Sequence, residues 1–294
     1  MGALDRRQVL SLAAAAGLAS AARPRRQKRK LRKALMFGMV EGKGSLLEKF
    51  TALRELGFEG VELDSPSDRS VDEVLEAMKK TGMEVADVVD SAHWRDTLGD
   101  PDPAVRAKGT AALETALRDA NRFRASSVLL VPAVVNAKIS YTEAWERSRA
   151  EIRKVLPLAA ELQVVISIEN VWNQFLLSPI EAASYVDAFQ SPWVGWHMDV
   201  GNVVNTGWPE QWIAILGKRI RRLHIKDYSR KKRDEDGLWK GFDVELGEGD
   251  VDWKAVMAAL DAVGYEGWAS AEVAGGGADR LRTVSRQMDA LFAA

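Results

Sequence analysis

The chain has 294 residues, of which 47% are hydrophobic and 28% charged, which suits one large globular domain or two small ones and excludes a disordered or collagen-like chain. The net charge of −1 conceals an asymmetry: residues 1–33 hold ten basic side chains and one acid, and the rest hold 31 basic and 41 acidic ones, a net of −10. A body that acidic has no general attraction for nucleic-acid phosphates, and the lack of cysteine excludes disulfides, thiolate nucleophiles and Cys-ligated metal.

The N-terminus reads as an address. Arg6-Arg7 precedes a weakly apolar, Ala-rich stretch from Val9 to Ala22 that contains Ala19-Ser20-Ala21, the order of a twin-arginine export signal. Residues 1–22 are therefore expected to be a signal peptide and 23–33 a basic linker, with the protein exported to the periplasm; the alternative is a cytoplasmic protein with a chance Arg pair. At about 14 residues the apolar stretch is too short for a stable membrane span.

From residue 34 onward, short β-rich runs alternate with stretches whose apolar residues recur three and four apart. The predicted strands are Ala34–Val40, Phe58–Asp64, Glu84–Val89, Ser127–Pro132, Val164–Glu169, Val194–Asp199, Ile220–Lys226 and Trp268–Val273. The predicted helices are Ser45–Leu56, Val71–Thr81, Pro103–Arg124, Thr142–Leu162, Pro179–Phe189, Pro209–Leu216, Trp253–Val263 and Asp279–Phe292. Ser45, Ser70, Ser178 and Asp252 stand at N-cap positions, and Gly57, Gly82 and Gly264 where helices stop. Eight βα units in residues 34–294, with no linker dividing them, predict an α/β fold: a single-domain (β/α)8 TIM barrel. The charged run Arg230–Asp236 reads as a solvated loop.

A TIM barrel builds its active site at the C-terminal ends of its strands. Strand five ends in Glu169, strand six in Asp199, strand seven carries His224 and strand eight ends in Glu272. Carboxylates flanked by apolar residues are costly to bury unless paired or bound to a cation. Three carboxylates and one imidazole form a hard, oxygen-rich set that favours one divalent ion, Mn²⁺, Mg²⁺ or Co²⁺. Taken singly, each has an ordinary structural reading as an ion pair or a hydrogen-bonded core residue; their joint position on four consecutive strands favours a site.

In these segments the sequence resembles the sugar isomerase/epimerase superfamily of xylose isomerase-like TIM barrels, which includes ketose 3-epimerases. The resemblance is carried by Gly57-Phe58-Glu59-Gly60-Val61-Glu62-Leu63, Ile168-Glu169-Asn170, Asp199-Val200-Gly201-Asn202, His224-Ile225-Lys226-Asp227-Tyr228-Ser229-Arg230, and Leu246-Gly247-Glu248-Gly249-Asp250 leading into Trp268-Ala269-Ser270-Ala271-Glu272. It implies a metal held by Glu169, Asp199, His224 and Glu272, with the two Glu as acid and base on opposite faces of a sugar substrate and Arg230 on a sugar oxygen. Two positions depart from the ketose 3-epimerase pattern: Asn202 stands where that family has His, and Phe175 where it has Glu. The departures leave the metal site intact but not the usual substrate.

Further substrate contacts are expected from His197 and Lys226, each two residues along its strand from a ligand and so on the same face, from His93 after strand three, and from Glu62 at the end of strand two. Trp94, Trp172, Trp208 and Trp239 fall near strand ends or in the βα loops, where they would either stack on sugar or pack beneath loops. The expected function is a divalent-metal-dependent isomerase or epimerase of a ketose or keto-sugar acting through an enediolate. Its rivals are a lyase on 3-keto-glycosides using the same site and a non-catalytic periplasmic sugar-binding protein. A multi-metal phosphodiesterase of the endonuclease IV type conflicts with three His and the acidic body. Barrels of this kind often pair as homo-oligomers, but no patch in the sequence marks such a contact.

Overall fold

The computed structural model describes residues 29–294. Eight parallel strands close into one barrel in chain order: β1 (Leu31–Met36), β2 (Gly60–Ser65), β3 (Glu84–Asp90), β4 (Ser127–Leu130), β5 (Val165–Glu169), β6 (Val194–Asp199), β7 (Ile220–Ile225) and β8 (Gly267–Ala271). Closure comes from β1 against β8, with Ala34 opposite Ser270. Around the strands run α1 (Leu46–Glu55), α2 (Val71–Thr81), α3 (Pro103–Arg122), α4 (Tyr141–Leu162), α5 (Pro179–Asp187), α6 (Val200–Val204), α7 (Pro209–Leu216), α8 (Arg230–Asp236), α9 (Trp253–Val263) and α10 (Ala278–Phe292). The TIM barrel expected from the eight-fold alternation is the observed fold.

Local chemistry starts these helices where the sequence puts hydroxyls. Ser45 with Glu48, Ser140 with Glu143 and Ser178 with Glu181 form capping boxes, each side chain satisfying the other residue's backbone N–H. Gly82 ends α2 at φ +69°, a left-handed position that a side chain would strain.

The main hydrophobic core lies between barrel and helices, built on the strand face that carries Val61, Leu63, Val128, Leu130, Ile166, Ile168, Met198 and Leu223. The opposite face of those strands lines a polar interior. Hydrogen bonds between strands that are not neighbours cross that interior, among them His197 on β6 with Asp87 on β3 at 3.1 Å and His224 on β7 with Glu62 on β2 at 2.8 Å. A register shift between β6 and β7 keeps the polar faces aligned, so that His197 lies opposite Arg222 and Asp199 opposite His224.

Three readings change. The first strand starts at Leu31, and Phe37–Met39 forms a 3-10 turn in place of the strand's predicted end. The last part of the expected linker is thus built into the barrel. Arg29 pairs with Asp261 at 2.8 Å, Arg32 with Glu84 at 2.6 Å, and Lys33 is buried against Ser285 and Asp289. These acids hold Arg29, Arg32 and Lys33 on the barrel. Finally, Arg230–Asp236 is the short helix α8, capped by Ser229. The expected signal peptide, residues 1–22, and residues 23–28 lie outside the described residues. Among the described residues no helix is long and apolar enough to cross a membrane.

Candidate active site

At the C-terminal end of the barrel, one ligand atom each from Glu169, Asp199, His224 and Glu272 lies within 4.8 Å of the others. His224 Nδ1 faces the group, 2.9 Å from Glu169 Oε1 and 3.1 Å from Glu272 Oε2. Its other nitrogen, Nε2, meets Glu62 Oε2 at 2.8 Å. Burial by itself would raise the Glu62 carboxyl, yet His224 beside it holds it down at about 2. Burial likewise opposes a charged His224, but Glu62 and Glu272 raise it well above the ordinary imidazole value.

Asp199 divides its carboxylate between two tasks. Oδ1 accepts from the Asn202 amide at 2.8 Å and caps α6, which turns Oδ2 into the cluster. Asn170 fixes the strand end from the side: its amide donates to the Asp199 carbonyl at 2.7 Å and accepts from the Asp199 N–H at 2.9 Å. Asn170 is a positioning residue that single-strand reading does not single out, although it directly follows Glu169. Burial pushes the Asp199 carboxyl up to about 7, opposed by Lys226 and reinforced by Glu272 and Glu169.

The Lys226 ammonium stands 3.0 Å from Asp199 Oδ2 and 2.6 Å from Glu272 Oε2. Gly201 allows this approach, since a Cβ there would come 2.8 Å from Lys226 Cβ. Despite burial, Lys226 and His224 hold the Glu272 carboxyl well below the usual carboxylate range.

A divalent cation fits this donor set. Asp199 Oδ2 and Glu272 Oε2 are buried oxygens that gather positive charge, with the Lys226 ammonium and the His224 ring beside them. Three carboxylates around one imidazole nitrogen also match the oxygen-rich surroundings that hard divalent ions prefer.

A cavity of about 490 Å³ opens above the cluster, within the usual range for small-molecule sites. Glu169, His224, Glu272, Lys226, Asn202 and His93 line it. The His93 Nδ1 accepts from the Val131 amide at 3.2 Å, so its proton is on Nε2, and burial pushes its pKa down to about 4.

Three of the expected substrate contacts stand elsewhere. Glu62 lies outside the cavity lining, hydrogen-bonded to His224 from within the barrel. His197 is fully buried, its Nδ1 on Asp87 and its ring 4.1 Å from that of His224, one layer below the cavity. Arg230 is also outside the lining: its guanidinium donates to the Gly207 carbonyl at 2.9 Å and lies over Trp208. All three share a strand face or a motif with true cavity residues, but depth along the barrel and loop direction separate them. Phe175 is buried among Tyr141, Trp145 and Tyr185, so that position packs the helical layer. Asp87 and Ser127, joined at 2.7 Å beneath His197, are further interior polar residues that reading strand by strand misses.

This fold, with a ligand cluster at the strand ends, defines a class that sequence comparison names. The family described as xylose isomerase-like TIM barrel matches residues 50–293. The chain belongs to that family and is an enzyme of its isomerase and epimerase group. It is 28% identical over 235 residues to L-ribulose-5-phosphate 3-epimerase UlaE of Escherichia coli O1:K1, covering 75% of this chain and 79% of the relative. Among solved structures, 3-keto-D-glucoside 4-epimerase YcjR from E. coli superposes with a TM-score of 0.75 at 18% identity, over 90% of this chain and 100% of that one. The IOLI protein with a bound zinc atom gives a TM-score of 0.72 at 17% identity, over 90% and 98%. These two structural likenesses show the shared fold.

Proposed function

We propose that the enzyme moves a proton at the carbon beside a ketone of a sugar, as a divalent-metal-dependent isomerase or epimerase. The observation that carries this reading is the meeting of Glu169 on β5 and Glu272 just after β8 with Asp199 and His224 in one cluster, of which Glu169, His224 and Glu272 line the cavity and Asp199 is buried behind them. When bound by these four residues, Mn²⁺, Mg²⁺ or Co²⁺ supplies Lewis acidity toward a ketone and its neighbouring hydroxyl.

The chain's own groups do the rest. One of Glu169 and Glu272 removes the proton from the carbon next to the ketone, and the other returns a proton from the opposite face, so configuration inverts. Lys226 is held on Asp199 and Glu272, and the His93 Nε2–H offers a neutral donor to the negative charge that develops on oxygen in the enediolate. Asn202, whose carbonyl accepts from Trp172 Nε1 at 2.9 Å, holds the cavity wall where ketose 3-epimerases carry His.

Proton NMR in D₂O with a panel of ketoses, ketose phosphates and 3-keto-glycosides tests the reading. Metal-dependent deuterium incorporation next to the ketone, abolished by EDTA, is the expected result; no incorporation with any of them by the metal-loaded chain would overturn it. A product of unchanged mass identifies the epimerase or isomerase, whereas loss of a glycosidic substituent identifies the lyase.

We infer also that residues 1–22 route the chain for twin-arginine export, a reading supported by Arg6-Arg7 ahead of the apolar stretch. Fractionation of cells expressing the chain with both arginines changed to Lys tests it, with retention in the cytoplasm expected.

A further inference from the structure

The floor of the cavity and its rim differ in chemistry. Glu169, His224, Glu272 and Lys226 form the floor, whereas much of the wall above is aromatic. Trp172 packs against Trp239 at 4.8 Å and Phe242 at 5.0 Å between ring centroids, making a continuous wall from the loops after β5 and β7. Trp94 lies in the loop after β3, and strands three and seven of a closed eight-strand barrel are diametrically opposed. Trp94 and Trp239 both line the cavity yet are 53% and 67% exposed. Two large apolar rings kept in water at a site mouth, on loops from different strands, are surfaces for a ligand's apolar face.

The charges of the lining point the same way. Among the described residues that line the cavity, Lys226 is the only Lys or Arg, and its ammonium is taken up by Asp199 and Glu272. Asp64 adds a further carboxylate to the lining. A phosphate dianion entering here would lose water and gain no free cationic partner, a combination that burial penalises heavily.

We propose that the barrel mouth is a second subsite, formed by Trp94, Trp172 and Trp239, that takes an uncharged, flat or apolar substituent of the keto-sugar, and that the substrate is a glycoside without phosphate. The proposal rests on the reading above that the ketone sits over Glu169 and Glu272, and it sets this chain apart from a relative named for a pentulose phosphate. The floor fixes the reacting ring by polar contacts, and the rim selects what that ring carries.

The test uses the full chain loaded with Mn²⁺ and three probes: methyl 3-keto-β-D-glucoside, phenyl 3-keto-β-D-glucoside and L-ribulose 5-phosphate. Isothermal titration measures binding and deuterium incorporation measures turnover on the same samples. The phenyl glycoside should bind at least tenfold more tightly than the methyl glycoside. Trp94→Ala and Trp239→Ala should each narrow that ratio to about threefold or less, with circular dichroism confirming that the barrel is intact and Trp239→Phe retaining most of the ratio. The phosphate sugar should bind at least tenfold more weakly than either glycoside. Equal binding of the two glycosides, a ratio untouched by both Trp variants, or preferred binding of the phosphate would each overturn the proposal. If no probe exchanges a proton, the reaction assigned above fails, while the binding ratio still decides the subsite.

Discussion

His224 Nε2 lies 2.8 Å from Glu62 Oε2 across the barrel interior, while Nδ1 of the same ring faces Glu169 and Glu272. The carboxylate beneath the ring thus sets which nitrogen is left for a cation. Partners of this kind typically change metal affinity about 10- to 100-fold. Glu62→Gln should therefore weaken Mn²⁺ binding by about that factor in isothermal titration, with the circular dichroism spectrum retained; unaltered affinity would remove Glu62 from this role.

Glu169 and Glu272 face the same cavity, and each is proposed to handle a proton. Glu169→Gln and Glu272→Gln should each lower deuterium incorporation by about 10²- to 10⁴-fold, the usual span for losing a positioned acid or base. Metal content measured by mass spectrometry separates loss of the proton carrier from loss of the ion. If the chain only bound sugar, neither change would have a rate to reduce.

Lys226 neutralises carboxylates that otherwise stand together in a buried site. Lys226→Met should destabilise the chain in EDTA by about 3–5 kcal/mol, the range for breaking a buried ion pair. Added Mn²⁺ should restore a large part of that loss, because a bound cation supplies the missing positive charge. Thermal melts with and without the metal measure both effects, and equal melting of variant and wild type in EDTA would contradict the assignment.

Asp227 ties down the loop that follows β7. Its carboxylate accepts from the amides of Tyr228, Gly247 and Val251 and from Trp253 Nε1, at 2.8 to 3.3 Å. Gly249 packs against this carboxylate so closely that a Cβ would run into it. Asp227→Ala leaves those donors unpaired and should cost about 3 kcal/mol or more. Gly249→Ala should destabilise in the same direction, both read by denaturant unfolding.

His93 has a pH signature. Its imidazole is held at about 4 by burial, below the ordinary value near 6.5, so between these values the unfolded chain binds a proton that the folded chain refuses. The contribution of His93 is complete above about pH 6.5 and is lost as the pH falls toward 4, by up to about 3 kcal/mol. Asp90, pushed up to about 7 by its own burial, acts in the opposite sense, its contribution being lost as the pH rises through that range. The His93 effect is therefore the difference between wild type and His93→Asn: the variant should lose less stability between pH 6.5 and 4 in urea unfolding, and parallel curves would disprove it.

Several boundaries were legible because local rules set them. Val71–Thr81, Pro209–Leu216 and Trp253–Val263 are helices with the predicted ends. There the cap, the apolar period and the stop signal or fixed proline torsion agree within one segment. Strand parity likewise puts Glu169, Asp199, His224 and Glu272 at one end of the barrel, since side chains two apart share a face and parallel strands end together.

Depth and direction were not legible, because they depend on residues far away in the chain. His197 has the same parity as Asp199, yet Asp87, 110 residues earlier, holds it below the cavity. Glu62 and His224 are 162 residues apart, and only closure of the barrel brings them to hydrogen-bond distance. Arg230 follows His224 by six residues, but α8 and the Gly207 carbonyl turn it aside. The sequence by itself determined the strands, their order and the residues at their ends, through interactions within a few positions. The tertiary structure decided which of those residues meet, because side-chain position across a barrel is set by closure, register shifts and contacts between non-adjacent strands.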